Sequence, residues 1–64
     1  MPIVRIDLWE GRDSETRRKL IRAVSEVVSE TLDVSVDHVR VVLNEIPKDN
    51  WGIGGEPASQ TNNQ

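Results

Sequence analysis

The chain has 64 residues and a formal charge of −3, an acidic balance that argues against nucleic-acid binding. It has no Cys and a single His, which excludes disulfides, thiolate sites and a His-rich metal centre, so no metal or cofactor is expected. No run reaches the roughly 18 apolar residues of a membrane span, and the first residues lack the charged region and long apolar core of a signal peptide. A cytoplasmic protein is the expectation.

A chain this short makes one domain, 1–64, with a marginal core. Small scaffolds without disulfides or metals gain stability by oligomerising.

Residues 2–9, Pro-Ile-Val-Arg-Ile-Asp-Leu-Trp, read as a strand. Val4, Ile6 and Leu8 fall on one face and Ile3, Arg5, Asp7 and Trp9 on the other. The first set suits a core, the second a subunit interface or a site wall. Pro2 is tolerated because the first strand position need not donate to the ladder. Removal of Met1 would leave Pro2 with a free secondary amine on a rigid ring, capable of acting as a base or a nucleophile. Inside a chain it is an amide without an N–H.

Gly11 permits a turn after the strand. Asp13 or Ser14 then caps a helix running to about Leu32, with Glu15 in the first turn, where the helix dipole favours an anion. Leu20, Ile21, Val24, Val27, Val28, Thr31 and Leu32 form an apolar stripe. Arg17, Arg18, Lys19, Arg22, Glu26 and Glu30 read mostly as a solvated face. Residues 33–38 form a polar connector in which His38, the lone imidazole, reads as solvated. Residues 39–46 then form a second strand rich in β-branched side chains. Val39, Val41 and Leu43 share one face, and Arg40, Val42, Asn44 and Ile46 share the other.

Strand, helix and strand make a βαβ unit with parallel strands and a right-handed crossover. One helix covers one sheet face, and a two-stranded sheet is not stable alone. The sheet must therefore be completed by another copy.

The three glycines around Ile53 predict a tight turn or small hairpin. Trp51 and Ile53 would belong to a loop packing its own aromatic, or to an arm reaching a neighbour. Residues 58–64 read as a polar, frayed tail. Gly52-Ile53-Gly54-Gly55 is no phosphate loop, because no Lys-Ser/Thr and no helix follow it.

Taken together, these residues resemble the 4-oxalocrotonate tautomerase family of the tautomerase superfamily. The resemblance rests on Pro2, Leu8-Trp9-Glu10-Gly11-Arg12, the helix length, Val39-Arg40-Val41 and Trp51-Gly52-Ile53-Gly54-Gly55, and spans residues 2 to about 59. It implies an isomerase that interconverts enol and keto forms of small unsaturated 2-oxo acids and diacids such as 2-hydroxymuconate. It also implies Pro2 as general base and Arg12 binding the distal carboxylate. Arg40, from a neighbouring subunit, would bind the 2-oxo or 2-hydroxy oxygen and the adjacent carboxylate. Trp51 would wall the pocket where the family usually has Phe, with Trp9 near it. The assembly implied is a homo-hexamer, a trimer of dimers with a four-stranded sheet across each dimer. The polar end of this chain replaces the basic tail common in the family.

The chemistry is consistent with the residue types. Proton transfer across a dienol needs a base with a pKa near the working pH. Apolar walls and nearby arginines disfavour the ammonium form of an amine. The same arginines can stabilise an oxyanion and grip carboxylates. Two other readings stay open. Hydration with dehalogenation, or decarboxylation, would need Asp7, Glu10 or Glu45 beside Pro2. A non-catalytic oligomeric binding module would keep the fold alone.

Overall fold

The computed structural model describes residues 1–60. Alternation of apolar and polar side chains sets β1, Ile3–Trp9, and β2, Arg40–Ile46. On both strands, exposed and half-buried residues alternate until the last two positions. The strands pair in parallel with Ile3 opposite Arg40 and Trp9 opposite Ile46. Val4, Ile6, Leu8, Val41 and Leu43 turn toward the helix side and are half-buried. Ile3 and Val42, on the opposite face, remain 57% and 43% exposed.

Between the strands runs α1, Ser14–Leu32. Asp13 caps it by accepting the Thr16 N–H at 2.9 Å. This satisfies one of the N–H groups that a helix start leaves without a partner. The helix ends on Asp33, whose φ of 56° is left-handed and whose N–H reaches the Ser29 carbonyl. That position usually takes Gly or Asn; Asp tolerates it because its short polar side chain is compatible with the left-handed region. A 3-10 turn over Val36–His38, capped by the Ser35 hydroxyl, feeds β2.

The apolar stripe of α1 is wider than one chain covers. Leu20, Val24 and Val28 are half-buried, whereas Val27 and Leu32 are 56% and 55% exposed. Arg17 departs from the solvated-face reading. It lies half-buried at the sheet-facing margin, bonded to the Arg12 carbonyl and 3.5 Å from Glu45. The helix packs mainly against β2 and leaves β1 thinly covered.

After a 3-10 turn at Lys48–Asn50, Gly52–Ile53 (β3) and Glu56–Pro57 (β4) form an antiparallel hairpin. Gly54 and Gly55 both take positive φ at its tip, as a tight hairpin turn requires. The frayed-tail expectation is corrected over its first residues. Residues Ala58–Gln60 form a 3-10 turn, and Ala58, only 1% exposed, donates its N–H to the Trp51 carbonyl at 2.7 Å. Residues 61–64 of that tail lie outside the described residues.

Among the described residues, Val39 and Ala58 alone are buried hydrophobics. The radius of gyration is 14.6 Å, against about 10.7 Å for a compact 64-residue chain. An elongated subunit with so small a core leaves most of its apolar surface for other chains to cover.

Candidate active site

The parallel register places Pro2 and Arg40 at one end of the sheet. The Arg40 N–H donates to the Pro2 carbonyl at 3.0 Å. Residue 2 is thus held by its carbonyl, and the bond needs nothing from its nitrogen. The Arg40 guanidinium bends back to donate to the Asp37 carbonyl at 2.8 Å, which keeps its charge at this end. Pro2 is half-buried and Arg40 exposed.

Arg12 stands at the other end. Gly11, with φ at 123°, turns the chain after β1, and Arg12 donates to the Trp9 carbonyl at 3.0 Å. Six strand steps separate Ile3 from Trp9, about 20 Å at 3.3 Å each. One chain therefore does not bring Arg12 to Pro2.

Trp9 and Trp51 gather at the Arg12 end. Their rings meet edge to face, with centroids 5.9 Å apart and planes at 79°. This arrangement sets the positive ring edge of one against the negative face of the other. Within the chain, the loop thus packs its own aromatic. The Trp9 Nε1 is buried without a hydrogen-bond partner.

Lys48 was not legible as a site residue, yet its Nζ lies 4.6 Å from the centroid of the Trp9 ring. The signal that could have found it is a cation three residues before Trp51, on a short turn leaving β2. It adds a second positive charge to the end that carries Arg12.

The three carboxylates that other chemistries would need are not beside Pro2 within the chain. Asp7 accepts from Asn44 at 3.0 Å, Glu45 pairs with Arg17, and Glu10 follows the far end of β1. The Asp13 carboxyl has a lowered pKa. Hydrogen bonding from Thr16, first from its side chain and then from its backbone, holds its carboxyl below the ordinary 3.8. No group of three or more His, Cys, Asp or Glu among the described residues is placed to hold a metal.

A family model described as "Tautomerase enzyme" matches residues 2–60. A 2-hydroxymuconate tautomerase of Pseudomonas putida is 50% identical over 62 residues, covering 97% of this chain and 98% of its own. Two solved structures share the fold. An apo unfused 4-OT superposes with a TM-score of 0.89 at 38% identity, covering 95% of this chain and all of its own. A heterohexamer 4-oxalocrotonate tautomerase from Chloroflexus aurantiacus gives 0.88 at 33%, covering 94% and 97%. A βαβ subunit of this kind is that of a tautomerase enzyme. The chain belongs to the 4-oxalocrotonate tautomerase family. Its activity is keto–enol isomerisation.

Proposed function

We propose that the mature chain begins at Pro2 and isomerises small unsaturated 2-oxo diacids, 2-hydroxymuconate among them, with the Pro2 amine as general base. The observation that carries this is the bond from the Arg40 N–H to the Pro2 carbonyl. It fixes a would-be amine at the mouth of a sheet with an arginine on the adjoining strand. The neutral amine takes the proton of the 2-hydroxyl. Negative charge spreads through the conjugated chain, and the ammonium returns the proton to carbon. Arg40 of a neighbouring subunit stabilises the charge that develops on oxygen and grips the adjacent carboxylate. Arg12 binds the distal carboxylate, and Trp51 and Trp9 wall the pocket.

Because Arg12 is remote from Pro2 in its own chain, the complete site draws on more than one copy. The exposed Ile3 and Val42 face and the uncovered helix flank support the same reading. The assembly proposed is a homo-hexamer built as a trimer of dimers, working in the cytoplasm in the breakdown of aromatic compounds. The P. putida relative is named for the 2-hydroxymuconate reaction, which supports that substrate.

The test is conversion of 2-hydroxymuconate to its 2-oxo isomer by the purified protein, alongside sedimentation at micromolar concentration. Isomerisation by an assembled protein is expected. A folded monomer, or an assembled protein inert toward 2-hydroxymuconate and simple enols, would overturn the proposal.

A further inference from the structure

Two cations are anchored on one tryptophan at the end of β1 away from Pro2. Arg12 donates to the Trp9 carbonyl at 3.0 Å, and the Lys48 Nζ lies 4.6 Å from the centroid of the Trp9 ring. The Lys48 backbone is fixed by the 3-10 turn that it begins. There the Asn50 N–H reaches the Pro47 carbonyl at 2.9 Å, and the Trp51 N–H reaches the Lys48 carbonyl at 3.2 Å. The ring beneath the ammonium is fixed as well: its Nε1 is buried, and it meets the Trp51 ring edge to face.

Lys48 is half-buried, yet among the described residues it forms no ion pair. The neighbouring carboxylates do not answer it. Asp49 accepts from the Ser59 hydroxyl, and Glu10, exposed on the rim of the same cleft, pairs with no described cation. An aromatic face offsets part of the cost of burying an ammonium but takes none of its N–H donors. Arg12 likewise spends a donor on the Trp9 carbonyl and keeps the rest of its fork. Holding a lysine stem costs rotamer entropy. A lysine ordered in this way, and left without an anion, is pre-organised to receive one.

We propose that Lys48 is a specificity-determining residue: with Arg12 it forms a two-cation subsite for the distal carboxylate of a diacid, and so makes the enzyme prefer diacids to monoacids of the same length. The inference deepens the proposed function and rests on its assignment of Arg12 to that carboxylate. The two side chains divide the task. The planar fork of Arg12 orients the carboxylate, and the Lys48 ammonium adds attraction without fixing an angle.

Trp9 and Trp51 are the two tryptophans of the chain, so intrinsic fluorescence reads ligand binding at this end. The ligands to compare are trans,trans-muconate and sorbate, conjugated dienes of equal length. Sorbate carries a methyl group where muconate carries its second carboxylate, and neither has an enol to isomerise. The parent should bind muconate more tightly than sorbate. Lys48→Met keeps an unbranched stem and removes the charge. It should weaken muconate by about tenfold, the size of one charge-assisted hydrogen bond, and leave sorbate as it is. Lys48→Arg should restore the preference. With 2-hydroxymuconate as substrate, Lys48→Met should raise KM with little change in kcat. Equal weakening of both ligands would mean that Lys48 only props the tryptophans, and an unchanged preference would mean that it meets solvent alone. Either result overturns the inference, as does a parent without the preference. A parent that has the preference but does not isomerise 2-hydroxymuconate would overturn the activity reading and leave the subsite standing.

Discussion

The carbonyl oxygen of Pro2 accepts the Arg40 N–H at 3.0 Å, and this one bond ties the first residue of the proposed mature chain to the second strand. It leaves the proline nitrogen outside the ladder. Met1, 75% exposed, can be removed without breaking it.

The purified cellular protein should therefore show an intact mass lacking Met1. Acetylating the terminal amine should abolish isomerisation and leave assembly unchanged. A protein that keeps Met1 and isomerises at the normal rate would rule out Pro2 as the base.

The two arginines should fail differently when removed. In the proposed mechanism Arg40→Ala deletes a donor to the developing oxyanion, typically worth about a hundredfold or more in turnover. In the same mechanism Arg12→Ala deletes binding to a carboxylate remote from the reacting atoms, an interaction equally strong before and in the transition state. Steady-state kinetics should show a large fall in kcat for Arg40→Ala and chiefly a raised KM for Arg12→Ala. The same pattern from both would refute the assigned roles.

Much of this layout was legible in the sequence, for identifiable reasons. The two-residue period of Val4, Ile6 and Leu8, and the three-to-four spacing of Leu20, Val24 and Val28, come from backbone geometry, which any chain must obey. The separation of Arg12 from Pro2 follows from strand length alone. The adjacency of Pro2 and Arg40 does not, because a helical crossover leaves the parallel register free until side chains pack. Lys48 over Trp9 was hidden for a related reason: a 3-10 turn redirects the chain after Pro47 with no periodicity to betray it. Ala58 sat in polar company, and only the hairpin beside it makes it the most buried residue described. The apolar stripe on α1 was read correctly as a pattern, but a single chain covers only part of it.

Asp13 gives a stability prediction with a defined pH window. Its carboxylate caps α1 through Thr16, and its folded-state ionisation lies below the ordinary 3.8. A carboxyl held low contributes stability at pH values above its unfolded value, and that contribution fades as pH falls through the folded one. Asp13→Ala should lower the thermal midpoint at pH 7. The gap between parent and variant should narrow on acidification below about 3.8, as the parent's carboxylate is protonated. Asp13→Asn keeps a capping oxygen and should lie between them at pH 7. Melting followed by far-ultraviolet circular dichroism reads all three, and a gap that stays constant with pH would mean that the charge contributes nothing.

The pH dependence of catalysis tests whether Arg40 tunes the base as well as stabilising the oxyanion. Only a neutral amine accepts a proton, so kcat/KM should rise with pH through the ionisation of Pro2. A fixed cation nearby disfavours the ammonium form and draws that midpoint down. In the proposed site that cation is the Arg40 guanidinium, contributed by a neighbouring subunit. Arg40→Gln keeps a hydrogen-bond donor and removes the charge. The sign follows directly: with the cation gone, the ammonium is less disfavoured, the amine holds its proton to higher pH, and the acid limb of the profile moves up. Arg12→Gln, changed far along the strand of its own chain, should move the limb as well only if the shared site brings that residue from another copy close to Pro2. Profiles of kcat/KM for the parent and both variants separate these effects. An Arg40→Gln limb that stays in place or moves down would show that the arginine acts on the substrate alone.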